Sequence, residues 1–145
     1  MNFTATGAKY AKDENALSKL ILDAAFRVHS AIGPGLLESA YEACLAYELR
    51  NEGLTVATQV PLPLIYKEVR LDVGYRLDVL VEDLVVIEIK SVDSLSAIHQ
   101  AQVISYLKLS GKKLGMLINF NVLHLRDGIR RVVNGLDSSK LLRDP

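Results

Sequence analysis

The sequence predicts a single α/β domain spanning residues 1–145. Two runs of helical periodicity between Glu14 and Asn51, a switch to strand-like runs after Gly53, and a third helical stretch at 95–110 leading into a short apolar run at 113–119 carry that expectation. A chain of 145 residues is long enough to bury a real core as one unit.

Residues 1–13 are mostly polar or small and are expected to form a flexible N-terminal segment. From Glu14, Leu17, Leu20, Ile21, Ala24, Val28 and Ile32 recur at three- and four-residue spacing, with Asp13 placed to cap the helix. Gly33-Pro34-Gly35 must stop it, because proline and its flanking glycines disfavour continuation. A second helix is expected from Leu36 to Asn51, with Leu37, Tyr41, Cys44, Leu45 and Leu49 on one stripe and Gly53 at its C-terminal cap.

Strands are then expected at 56–59, 62–66, 69–73, 75–81 and 85–91. Pro61 and Pro63 confine the early part to an edge or a bulge, Gly74 suits a bend, and Glu82-Asp83 suits a tight turn joining the last two strands as an antiparallel hairpin. The third helix should present Ile98, Gln102, Ser105, Tyr106 and Leu109 on one face and end at Gly111. Residues 113–119 should be a buried strand, and 122–126 with 129–133 a short hairpin around Asp127-Gly128.

Composition narrows the function. Half the residues are apolar and 23% charged, as in soluble globular domains. No apolar run approaches the roughly 20 residues needed to cross a bilayer, so no membrane partner is expected. The N-terminus shows no secretory signal pattern. Cys44 is the only cysteine; it rules out an intrachain disulfide, fits a cytoplasmic location, and reads as small core filler. The 17 basic and 17 acidic residues cancel, which argues against gripping polyanions by bulk charge. Local basic clusters (Arg126, Arg130, Arg131, Lys140 and Arg143; Lys108, Lys112 and Lys113) read as solvated surface.

The chemistry concentrates in residues 75–106. In Val85-Val86-Ile87-Glu88-Ile89-Lys90, alternation puts Val85, Ile87 and Ile89 on one face and Val86, Glu88 and Lys90 on the other. Charges on so apolar a strand are costly unless paired or metal-bound. Asp78 interrupts the preceding strand, and neighbouring strands lie roughly 5 Å apart. Asp78 and Glu88 could therefore share a hard divalent cation, with Lys90 orienting a water or stabilising developing charge. An equally simple reading is an amphipathic hairpin whose polar face meets solvent. Gln102 and Tyr106 share a helical face and would approach Glu88 and Lys90, although a buried amide and an amphipathic core tyrosine explain them as well. Glu38 in the first turn of its helix is favoured by the dipole alone, and His29 fits a satisfied histidine near the Gly33 turn.

Gly35-Leu36-Leu37-Glu38-Ser39-Ala40-Tyr41 spells G-x-x-E-x-x-Y, and the chain resembles the GxxExxY protein family. The likeness continues through Val28-His29, Gly33-Pro34-Gly35, Val60-Pro61-Leu62, Glu88-Ile89-Lys90, Gln102 to Tyr106 and Leu117-Ile118-Asn119-Phe120, covering about residues 17–133. That family is grouped with the PD-(D/E)XK nuclease-like superfamily. The resemblance implies a restriction-endonuclease-like αβββαβ core, a central mixed sheet flanked by helices. It makes Glu38 the acidic position of the first helix, Asp78 the second-motif aspartate, Glu88 and Lys90 the E-x-K, and Gln102 and Tyr106 a Q-x-x-x-Y. Arg76-Leu77-Asp78 departs from the P-D dipeptide.

By the same resemblance, Mg²⁺ or Mn²⁺ would be held by Asp78, Glu88 and the Ile89 carbonyl with help from Glu38. The partner would be nucleic acid, DNA ahead of RNA, and the activity phosphodiester hydrolysis. The competing expectation is a non-catalytic nucleic-acid-binding or regulatory module that retains the fold. A homodimer is a further candidate assembly, since a domain this size can need a second copy to build a groove.

Overall fold

The computed structural model of the chain describes residues 13–135; the expectations for residues 1–12 and for Lys140 and Arg143 lie outside them. Helix α1 (Glu14–Ile32) starts at Asp13, whose carboxylate accepts the N–H groups of Asn15 and Ala16 at 2.9 and 3.3 Å, satisfying donors that a first turn leaves free. Leu17, Ile21, Ala24, Ala25 and Val28 bury its inner stripe. Gly33 and Gly35 then adopt φ of +66° and +98°, open to glycine at no steric cost.

Helix α2 (Glu38–Asn51) begins two residues later than periodicity suggests. Leu37 is its extended N-cap and is 76% exposed, so it does not start the buried stripe. The cause is Tyr41, whose hydroxyl donates to the Gly33 carbonyl at 2.6 Å and accepts the Leu36 N–H at 3.2 Å. These bonds hold 33–37 as a loop. Tyr41, Leu45, Ala46 and Leu49 form the stripe instead, and Cys44 packs partly buried against the same core.

The strands are β1 (Val56–Pro61), β2 (Leu64–Tyr66), β3 (Val69–Leu71), β4 (Arg76–Val81), β5 (Val85–Lys90), β6 (Leu114–Asn119) and β7 (Ile129–Val133), with helix α3 (Ala97–Ser110) between β5 and β6. Five of them form one mixed sheet in the order β1-β4-β5-β6-β7, in which only β5 and β6 are parallel. A parallel neighbour requires a crossover, and α3 supplies it. Strands β2 and β3 pair only with each other. The expected β4–β5 hairpin forms through Glu82 and Asp83, both at positive φ, with Leu84 N–H donating to Val81 O at 2.9 Å. Pro61 ends the edge strand β1, where a missing N–H costs least.

Two cores flank the sheet. Val85, Ile87 and Ile89 join the one under α1 and α2, while Val86 joins Val103, Tyr106 and Leu107 of α3 on the other face. The alternation expected for β5 therefore holds. Helix α3 is rotated from its expected stripe: Ile98 is 72% exposed, Ser105 is exposed, and Val103 and Leu107 face the sheet. Gly115 of β6 accounts for this, because a Cβ there would lie 2.7 Å from Val103 Cγ1 and 3.5 Å from Leu107 Cδ1.

The hairpin expected at 122–133 does not form. Leu125–Gly128 is a 3-10 turn, and β7 pairs antiparallel with β6 instead. Gly128 serves close approach: a Cβ would sit 2.2 Å from the Asn119 carbonyl oxygen. Gly128→Ala should therefore destabilise the chain by about 1–3 kcal/mol through overpacking, read as a lower urea midpoint at unchanged slope. A loss within ~0.5 kcal/mol would show that the contact relaxes freely.

Candidate active site

The β4–β5 ladder runs through Val81↔Val85, Leu80↔Val86 and Val79↔Ile87 and stops there. One residue on, Asp78 Oδ2 accepts the Ile89 N–H at 2.9 Å. A side-chain carboxylate thus takes the place of a ladder acceptor where the strands part. The β4 pattern also breaks at this residue, since Leu77 packs on the α3 side while Val79 faces α1 and α2. Opposite it, Gln59 of β1 adopts φ +52° between the paired positions Thr58↔Val79 and Val60↔Leu77.

Beside this parting, Glu88 and Lys90 follow Val86 on the α3 face. Lys90 Nζ lies 3.5 Å from Glu88 Oε2 and donates to Gln102 Oε1 at 2.9 Å. Gln102 Nε2 donates to the Tyr106 hydroxyl at 3.1 Å. The chain Glu88–Lys90–Gln102–Tyr106 joins the end of β5 to α3. Glu88 is only 6% exposed, and its Oε1 has no hydrogen-bond partner, an arrangement that is costly for a charged carboxylate.

The electrostatics follow from that geometry. Burial first, then the neighbouring Asp78 carboxylate, push Glu88 up to about 8, against the pull of Lys90. Burial also raises Asp78; the Ile89 N–H opposes this, and the Glu38 charge adds to it. The Tyr106 phenol is raised by burial and then by Glu88.

Glu38 sits in the first turn of α2, where Oε2 accepts the Ser91 N–H at 3.2 Å, while Ser91 Oγ donates to Leu36 O at 2.7 Å. It reaches the site from the helix side. A cavity of about 680 Å³ opens there, lined by Glu38, Glu42, Gln59, Asp78, Ile89 and Ser91 among others; Glu88 does not line it.

Glu42 and Gln59 are site residues that the sequence reading did not single out. Gln59 Nε2 donates to Glu42 Oε1 at 2.6 Å, and burial raises the Glu42 carboxyl. The four-residue spacing of Glu38 and Glu42 was a readable signal, whereas no local pattern marks the backbone of Gln59. His29 lies elsewhere, its Nε2 at 2.7 Å from Val122 O. Lys112 pairs with Asp83, Arg130 bonds backbone carbonyls, and Arg131 bonds Asn15, so these members of the basic clusters are locally engaged. Among the described residues no three His, Cys, Asp or Glu side chains are grouped closely enough to hold a metal ion by themselves.

A fold in which α2, β1, β4, β5, α3 and β6 follow in that order, with acidic side chains where two central strands part, is an α/β restriction-endonuclease-like arrangement. A family model described as the PD-(D/E)XK nuclease superfamily matches residues 15–132. The chain belongs to the PD-(D/E)XK nuclease superfamily. Nucleases of this superfamily generally use divalent metals, and nucleic acid is the substrate the membership implies. No curated protein and no solved structure matches the chain. No helix among the described residues is long and apolar enough to cross a membrane.

The raised Glu88 gives a signed pH dependence. Between its ordinary value of 4.5 and about 8, the folded chain holds a proton that the unfolded chain has released. Stability from this group is full below 4.5 and is lost as pH rises through 8, at up to about 1.4 kcal/mol per pH unit. In metal-free buffer the thermal midpoint should fall from pH 5 to pH 8, and Glu88→Gln should flatten that fall and raise the pH 8 midpoint. An unchanged profile in the variant would show that Glu88 ionises freely in the fold.

Proposed function

We propose that this chain is a divalent-metal-dependent nuclease, hydrolysing phosphodiester bonds in DNA ahead of RNA, and that it falls in the GxxExxY family within its superfamily. The observation that carries the reading is the convergence of Asp78, Glu88 and Lys90 where β4 leaves β5, with one Glu88 oxygen buried and unpartnered.

The donor set fits a hard cation such as Mg²⁺ or Mn²⁺. Asp78 raises the proton affinity of Glu88, burial raises that of both carboxyls, and one Glu88 oxygen is free, so the pair gains from a positive charge placed between them. Asp78, Glu88 and the Ile89 carbonyl would hold it, with Glu38 adding negative charge beside Asp78 from the helix side rather than a third carboxylate ligand. Such an ion supplies the charge that lowers the pKa of an attacking water and polarises the scissile phosphate.

The remaining roles belong to the chain itself. Lys90 would hold the water against the phosphate and offset charge as the new P–O bond forms. Gln102 is a positioning residue, fixing the Lys90 ammonium through its carbonyl, and Tyr106 fixes the Gln102 amide in turn. The G-x-x-E-x-x-Y motif acquires a physical meaning here: Gly35 turns the chain, Tyr41 pins the turn, and Glu38 emerges at Ser91.

The test is cleavage of fluorescent DNA and RNA in Mg²⁺ and Mn²⁺. Lys90→Ala should lower the rate on the order of 100-fold or more, with its thermal midpoint within a few degrees of wild type. Calorimetric Mn²⁺ binding should disappear in Glu88→Gln. Wild-type rates in Lys90→Ala would sink the catalytic role. Tight nucleic-acid binding with no turnover in either metal would instead favour a non-catalytic module, the reading that zero net charge supports. Light scattering on the same samples tests the homodimer as a candidate assembly.

A further inference from the structure

Residues 62–75 leave the sheet and return at one point. The pair Pro61↔Arg76 closes the β1–β4 ladder, and Leu62 N–H donates to Tyr75 O at 2.9 Å just beyond it. Between them the β2–β3 hairpin stands apart from the sheet, and every residue from 65 to 76 is exposed. An isolated two-stranded hairpin is marginal in water, so an exposed one with apolar side chains calls for a binding role.

Its surface has a definite chemistry. Tyr66 is 59% exposed and Tyr75 43%. Lys67 lies 5.5 Å over the Tyr66 ring, with Arg70 and Arg76 further along the arm. None of these three cations forms an ion pair among the described residues, although Glu68 and Asp72 lie on the same arm. The arm is also joined to the site. The Tyr75 ring packs 5.9 Å from that of Tyr106, which receives the Gln102 amide, and Gln102 receives Lys90.

We infer that this arm binds an unpaired DNA strand and delivers it to the site, with bases on Tyr66 and Tyr75 and phosphates on Lys67, Arg70 and Arg76. The inference deepens the nuclease reading and rests on it. Stacking on aromatic rings suits any base and is worth about 1–3 kcal/mol per base, and it needs bases that are not already stacked in a duplex. Unpaired cations beside the rings meet the backbone charge. Neither contact requires a 2′-hydroxyl, the group that distinguishes RNA. A second copy of the chain suits the arm less well, because docking it would desolvate the same unpaired cations.

The experiment is fluorescence anisotropy of a labelled 12-nucleotide DNA with the full chain in EDTA, alongside the same sequence as duplex DNA and as RNA. Wild type should bind the single strand at least about tenfold more tightly than the duplex. Tyr66→Ala combined with Arg70→Ala should weaken single-strand binding about tenfold or more, and should lower the slope of log affinity against log salt by about 0.7 for the cation removed. Both side chains are exposed, so the thermal midpoint should stay put, and Tyr66→Phe should bind as wild type does.

Equal affinity for single strand and duplex, tighter binding of RNA, or unchanged affinity in the double variant would overturn the inference. So would loss of a dimer in that variant without loss of affinity. Because no metal is present, the result stands apart from turnover. Arm-dependent binding in a chain that never cleaves would remove the hydrolase and keep the arm; cleavage with an arm-independent affinity would do the reverse.

Discussion

The site depends on one hydrogen bond, from the Ile89 N–H to the Asp78 carboxylate. Two antiparallel strands cannot part inside a protein without orphaning backbone donors and acceptors. Asp78 resolves this for Ile89 by supplying the acceptor from a side chain. The separation costs the sheet little and leaves a carboxylate fixed at the point of divergence. The Gln59 backbone belongs to the same disturbance, because the edge strand also breaks pattern beside Asp78.

On the other side of β5 the constraint is electrostatic. Glu88 lies on an almost wholly buried strand, and Lys90, two residues on, is the cation within reach. Gln102 and Tyr106 tie that lysine to α3, whose packing depends on the missing side chain at Gly115. The polar chain is therefore held by apolar contacts one layer away. From the opposite face, Tyr41 stacks on Phe120 with centroids 4.6 Å apart while its hydroxyl pins the loop before α2. A single ring thus links the core to the placement of Glu38.

Much of this was legible in the sequence. The period-2 pattern of β5 assigned Glu88 and Lys90 to one face, and the four-residue step from Gln102 to Tyr106 put those two on one helical face, where Gln102 meets Lys90 and Tyr106 meets Gln102. Asp13, Gly53 and Gly111 marked helix boundaries because capping chemistry is local. What was not legible depended on distant partners. The start of α2 moved because Tyr41 reaches back to Gly33, the face of α3 turned because β6 carries a glycine, and Asp127-Gly128 resembles a hairpin turn until Asn119 is seen against it. Gln59 was invisible for the same reason, its backbone being set by its neighbour in β4.

The closure of the β1–β4 ladder at Pro61 and Arg76 has an evolutionary consequence. Leu62, buried with Leu77 and Tyr106, belongs to the core, but the exposed stretch beyond it can lengthen, shorten or change composition without shifting the register of any strand that carries the acidic residues. Descendants of such a scaffold are free to diversify what they hold while inheriting unaltered the place where bonds would be broken. Lineages should accordingly vary most between β1 and β4 and least around Asp78.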